Sequence, residues 1–136
     1  MSDGQVVDDH EQYSVVLRED EQALVQSWKN VVGLSVADDR AGVRRFAAHC
    51  VTYEPVRAVI DVTRVVDRAQ VADEEEFVPW WTREIVPSYH EAGISGLAIV
   101  TGDPNAPGET GEVPPGVKFK LGYFADLDSA LRWDPR

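Results

Sequence analysis

The run Arg57-Ala58-Val59-Ile60-Asp61-Val62-Thr63 is dense in β-branched residues and is bounded by turn or helix signals on both sides, a pattern that predicts a central strand. Alternation puts Ala58, Ile60 and Val62 on one face and Val59, Asp61 and Thr63 on the other. Asp61 then needs a setting. Either it accepts hydrogen bonds from loop amides near the carboxyl end of the strand, or it lines a site at that edge. Upstream, Tyr13 to Leu17 and Gln22 to Trp28 alternate on either side of Arg18-Glu19-Asp20-Glu21, a polar connection short enough for a hairpin. Trp28 shares a row with Leu24 and reads as a lid on the core.

Helical spacing follows the hairpin. Ser35-Val36-Ala37-Asp38 has the form of a helix start, a hydroxyl that can cap and an acid three residues on. Val43, Phe46, Ala47, Cys50 and Val51 then recur as one buried stripe, with Arg40, Arg44 and Arg45 projecting elsewhere, and Pro55 ends the helix. His49 neighbours the stripe and reads as a partly exposed helix-end residue, since no second His or Cys stands at metal spacing from it. A second helix is predicted at Glu74-Glu75-Glu76, acids suited to a helix N-terminus. Its true start falls close to Glu76 if Pro79 is to lie in the first turn, with an interruption at Pro87 and a stop at Gly93. Phe77, Trp81, Ile85, Tyr89 and Ala92 share its apolar arc, whereas Trp80 falls with Arg83, Glu84 and Glu91. A large aromatic on that side predicts an interface or a pocket wall, unless a neighbouring loop covers it or the Pro87 kink re-aims the face.

Ile94 to Val100 predicts another short buried strand, and Gly102 to Gly116 a long surface loop, rich in Gly and Pro. Val117, Phe119 and Leu121 alternate with Lys118 and Lys120 as a last strand. Asp126 is placed to cap a terminal helix that buries Leu127, Ala130 and Leu131, with Trp133 beside them. The order β-β-α-β-α-β-β-α predicts a single α/β domain with a mixed sheet of about five strands under helical cover. It spans 13–136, behind a flexible acidic tail over 1–12.

In this order the chain resembles a SpoIIAA-like (STAS-like) domain, in the family's uncharacterised branch. The likeness rests on the opening hairpin, the helix, the strand Ala58-Val59-Ile60-Asp61-Val62, the Trp-bearing helix ending at Gly93, and the strand Leu97-Ala98-Ile99-Val100. The close, Tyr123 to Trp133, resembles the F-x5-A-x2-W ending of such members through Phe124, Ala130 and Trp133. The resemblance implies the fold and a habit of protein interaction. It does not carry over the phosphorylation switch, because the region matching the Asp-Ser-Ser-Gly-type turn, Val65 to Asp73, contains no Ser or Thr.

Composition narrows the function. A chain of 136 residues buries enough surface to fold without a disulfide or metal, and the lone Cys50 reads as a small buried hydrophobe that fits a reducing compartment. Met1 to Glu11 lack a signal-peptide apolar region, and nowhere are there the ~20 apolar residues of a membrane helix. The expectation is a cytoplasmic protein without membrane insertion. With 24 acids against 13 bases, a net charge of −11, the surface repels phosphate backbones, so nucleic acid is not an expected partner. The only lysines are Lys29, Lys118 and Lys120, and aspartates outnumber glutamates, a balance that also suits a salt-adapted surface.

Gly102, Gly108, Gly111 and Gly116 lack the strand-to-helix setting of a phosphate loop. Cys50 and His49, adjacent on a helix, face different directions, and Asp8-Asp9-His10-Glu11 offers a metal no fixed geometry in a tail. No catalytic residue, cofactor or metal is therefore assigned. Two functions remain. One is a regulatory or interaction module that meets a protein partner or a second copy through the Trp80 side of the second helix. The other is a small-ligand or lipid-binding protein in which Trp80, Tyr89 and His90, near the Pro87 kink, border an apolar pocket closed by the loop Gly102 to Gly116.

Overall fold

The computed structural model describes residues 4–29, 34–65 and 74–136. In chain order the elements are β1 (Gln5–Asp9), β2 (Tyr13–Arg18), β3 (Ala23–Trp28), α1 (Val36–Tyr53), β4 (Arg57–Asp61), α2 (Glu74–Glu84), α3 (Val86–Ala92), β5 (Gly96–Val100), β6 (Gly108–Thr110), β7 (Lys120–Phe124) and α4 (Leu127–Arg132). The strands form one mixed sheet in the order β1-β2-β3-β4-β5-β7-β6. β1, β2 and β3 pair antiparallel, β3, β4, β5 and β7 run parallel, and β6 returns antiparallel along β7. This is the mixed α/β architecture the pattern predicts, with two more strands than expected.

Alternation divides the core between the two faces of the sheet. Leu24, Trp28, Ala58, Ile60 and Leu97 face α1, α2 and α3, joined there by Val43, Phe46 and Cys50 of the α1 stripe. Val25, Val59, Ala98 and Val100 face the other way, against Ala130 and Leu131 of α4. Capping fixes the helix ends. Ser35 Oγ accepts the Asp38 N–H at 3.1 Å and Asp126 Oδ1 accepts the Ser129 N–H at 2.8 Å. Gly93 closes α3 in the left-handed region, at φ 74°. Buried Arg57 ties the strand openings to the end of α4, with Nε donating to the Trp133 carbonyl at 2.8 Å and Nη1 to that of Glu21.

Four expectations are corrected. Within the stretch read as a flexible tail, Gln5–Asp9 forms an edge strand, held by the β2 backbone and by Asp8, which accepts from Arg45 at 2.6 Å and pairs with His49 at 2.8 Å. Inside the 102–116 loop, Gly108–Thr110 pairs with β7. The last strand begins at Lys120; Val117 and Phe119 are buried in the approach to it, where the Lys118 N–H donates to His90 Nε2. The second helix starts at Glu74, so Pro79 lies inside it and not in its first turn, while the interruption expected at Pro87 is found, between α2 and α3. Residues 66–73, most of the region matched to the phosphorylation turn, lie outside the described residues. Among the described residues no helix is long and apolar enough to cross a membrane.

Candidate functional site

Of the candidate site residues, Tyr89 and His90 both pack on Phe119, and none of the four lines the cavity floored by β4, β5 and β7. Trp80 is buried, 8% exposed, beneath the Arg40 and Arg44 guanidiniums at 5.0 and 5.8 Å from its ring and beside Phe77 at 5.7 Å. It thus binds α2 to α1 by apolar area and cation–π contact, and presents no free face. Tyr89 is wholly enclosed, packed edge-on to Phe119 at 5.6 Å. His90 lies at a separate shallow cleft with Gly93, Ile94, Lys118 and Phe119. Asp61, at the carboxyl end of β4, turns its Oδ1 to the Thr63 N–H at 3.0 Å and the Thr63 hydroxyl at 2.7 Å, the loop-facing arrangement.

A larger cavity lies elsewhere, at the carboxyl ends of the parallel strands on the face shared with α2. Its volume is about 640 Å³, within the range of small-molecule sites. The floor is the alternating row Ile60 and Val62 within and just after β4, Leu97 and Ile99 on β5, and Leu121 and Tyr123 on β7. Phe77, Val78 and Trp81 on α2 form one wall, with Trp28 and Val43 behind them. The opposite wall is Thr110, Glu112 and Pro114, so the end of β6 and the segment after it cover β7 where the helices do not reach. The Glu112 N–H donates to Thr110 Oγ1 at 3.2 Å, which holds this turn in place.

The lining is mostly apolar, with Thr101, Thr110, Glu112, Tyr123 and the indole N–H groups of Trp28 and Trp81 as its side-chain polar groups. Two of the large apolar side chains left in the open border the cavity, Val78 at 40% and Tyr123 at 39%. An apolar concavity with few polar groups favours an apolar guest over water. The helix half of this site was readable, since Phe77 and Trp81 belong to the predicted arc. The floor was readable too, from strand alternation and the tendency of open α/β sheets to bind at strand carboxyl ends. Thr110, Glu112 and Pro114 lie within Gly102 to Gly116, the loop expected to close a pocket, but no pattern singles them out within it.

The groups that resemble catalytic machinery are otherwise engaged. Cys50 is enclosed in the core, and burial pushes its thiol far above the ordinary value, away from the reactive thiolate. His49 faces Asp8 instead of Cys50. Comparison of the chain with family models, with curated proteins and with solved structures gives no match.

Proposed function

We propose that the protein is a non-catalytic binding protein for a small apolar ligand, built on a SpoIIAA-like (STAS-like) domain. The observation that carries the reading is the cavity floored by β4, β5 and β7 and walled by α2 and the 110–114 segment. It combines the volume, the apolar lining and the sparse hydroxyls of a ligand site with apolar side chains exposed at its border. For the family, the support is the antiparallel opening pair followed by parallel strands connected through helices.

The neutral fluorophore N-phenyl-1-naphthylamine tests the function. Trp28 and Trp81 line the cavity, so a bound probe quenches their emission. Saturable binding at one site per chain, lost in Ile99→Trp and in Thr101→Phe variants that keep the wild-type circular dichroism spectrum, is the expected result. Absence of saturable binding to the wild type refutes the reading.

One observation favours an interaction module as the second reading, the exposed Val78 and Tyr123 that both border the cavity. Its test is subunit count by native mass spectrometry. A dimer lost in Val78→Ser supports it, and a monomer at working concentration removes self-association.

A further inference from the structure

The polar groups of the cavity are uneven in charge. Glu112 is its one acidic residue, and among the described residues no Lys, Arg or His lines it. Of the bases next in sequence to lining residues, Arg64 is exposed and is not among the lining residues, and the others are engaged by other groups. Lys120 lies 3.8 Å from Glu109, and its side chain falls on the face of β7 opposite Leu121. Arg40 and Arg44 cover Trp80, and Arg40 also reaches Glu76 at 4.0 Å. The remaining side-chain polar groups are the hydroxyls of Thr101, Thr110 and Tyr123, which hydrogen-bond a neutral group as readily as a charged one, and the indole N–H groups of Trp81 and of Trp28, the latter donating to Gln26. The whole molecule adds a field of the same sign, at a net charge of −11.

We infer that the cavity selects uncharged or cationic apolar ligands, such as long-chain alcohols and amines, and rejects anionic ones such as fatty acids. This rests on the proposed ligand-binding function and adds the ligand's charge class to it. A carboxylate entering the cavity exchanges water for apolar walls and meets no cation among the described lining residues. An amine keeps its apolar chain against Leu97, Ile99 and Leu121 and sets its ammonium toward Glu112.

Decylamine, decanol and decanoate share a chain and differ in charge, so their competition against N-phenyl-1-naphthylamine isolates the headgroup. The full chain is titrated at neutral pH, near physiological salt and below micelle formation. Amine and alcohol are expected to displace the probe at concentrations about tenfold lower than decanoate. Glu112→Gln is expected to weaken the amine roughly threefold relative to the alcohol, the scale of an exposed ion pair. Decanoate that competes as well as the amine overturns the inference while leaving the pocket standing, and so does an amine-to-alcohol ratio unchanged in Glu112→Gln. Amine binding that survives Ile99→Trp is adsorption to the acidic surface and also overturns it. If neither the probe nor any of the three binds, the pocket itself is refuted.

Discussion

Tyr89 has no solvent exposure, and its hydroxyl finds no hydrogen-bond partner among the described residues. Burial also drives its phenol well above the ordinary value, so the proton stays on. A buried polar group left unpaired costs about 1–3 kcal/mol, while the ring contacts with Trp81 and Phe119 need no oxygen. Tyr89→Phe is therefore expected to leave stability unchanged or raise it by about 1 kcal/mol in urea denaturation; a loss of that size contradicts the unpaired hydroxyl. Asp8 is the opposite case. Burial would raise its carboxyl, but hydrogen bonds from Arg45 and His49 outweigh that and hold it below the ordinary value. A carboxyl lowered in the folded state stabilises fully above its unfolded value, near 4, and the contribution is lost as pH falls through the folded value. The melting-temperature gap between wild type and Asp8→Asn should thus stay open near pH 6 and close progressively below about pH 4. Neither setting was legible, because a helical arc places Tyr89 in the core without saying whether its oxygen is met. Trp80 shows the same limit: its angle set it apart from the arc of Trp81 and Tyr89, whereas it is buried in the same core, beneath arginines that come from another helix.

Among the elements, α1 approaches the sheet more closely than a side chain at Gly42 would allow. A Cβ there would stand 2.3 and 2.6 Å from atoms of the Trp28 ring. The contact is reinforced by Gln26, whose Nε2 donates to the Gly42 carbonyl at 3.0 Å and whose Oε1 accepts the Trp28 Nε1–H at 3.2 Å. Alanine normally favours a helix over glycine by about 1 kcal/mol, whereas overpacking costs about 1–3 kcal/mol. The second effect should win: Gly42→Ala is expected to destabilise by about 1 kcal/mol in urea, and to weaken probe binding because Trp28 moves. Elements with a continuous apolar face, such as α1, β3, β4 and β5, were legible from spacing. The edges were not. β1 is held largely by backbone pairing, and its register shifts between Val6 and Asp8, which breaks the alternation that marks a strand. β6, Gly108-Glu109-Thr110, has no apolar residue at all. The alternation of Val117 and Phe119 was real, but it records packing beneath α3 with the intervening amide bonded to His90, not a ladder.

For the molecule as a whole, charge and ligand act on the same folded state. If the surface is salt-adapted, the melting temperature climbs from dilute buffer to molar KCl as self-repulsion at −11 is screened; a flat response excludes adaptation. A ligand confined to the folded cavity stabilises by about 2.7 kcal/mol at a hundredfold excess over its Kd, and this increment should vanish in Ile99→Trp. The order of strands has a further consequence, for synthesis. β7 is inserted between β5 and β6, both of which precede it in the chain, and it brings Leu121 and Tyr123 to the cavity floor. A ribosome therefore exposes the other strands first, with one flank of β5 and the inner edge of β6 open until residue 124 has left the exit tunnel. Nascent chains stalled before that point should remain protease-sensitive in 108–119 and fail to retain the fluorescent probe, while chains a few tens of residues longer, supplied by a linker, acquire both properties together. On this topology, the cavity floor is complete only once β7 has joined β5 and β6.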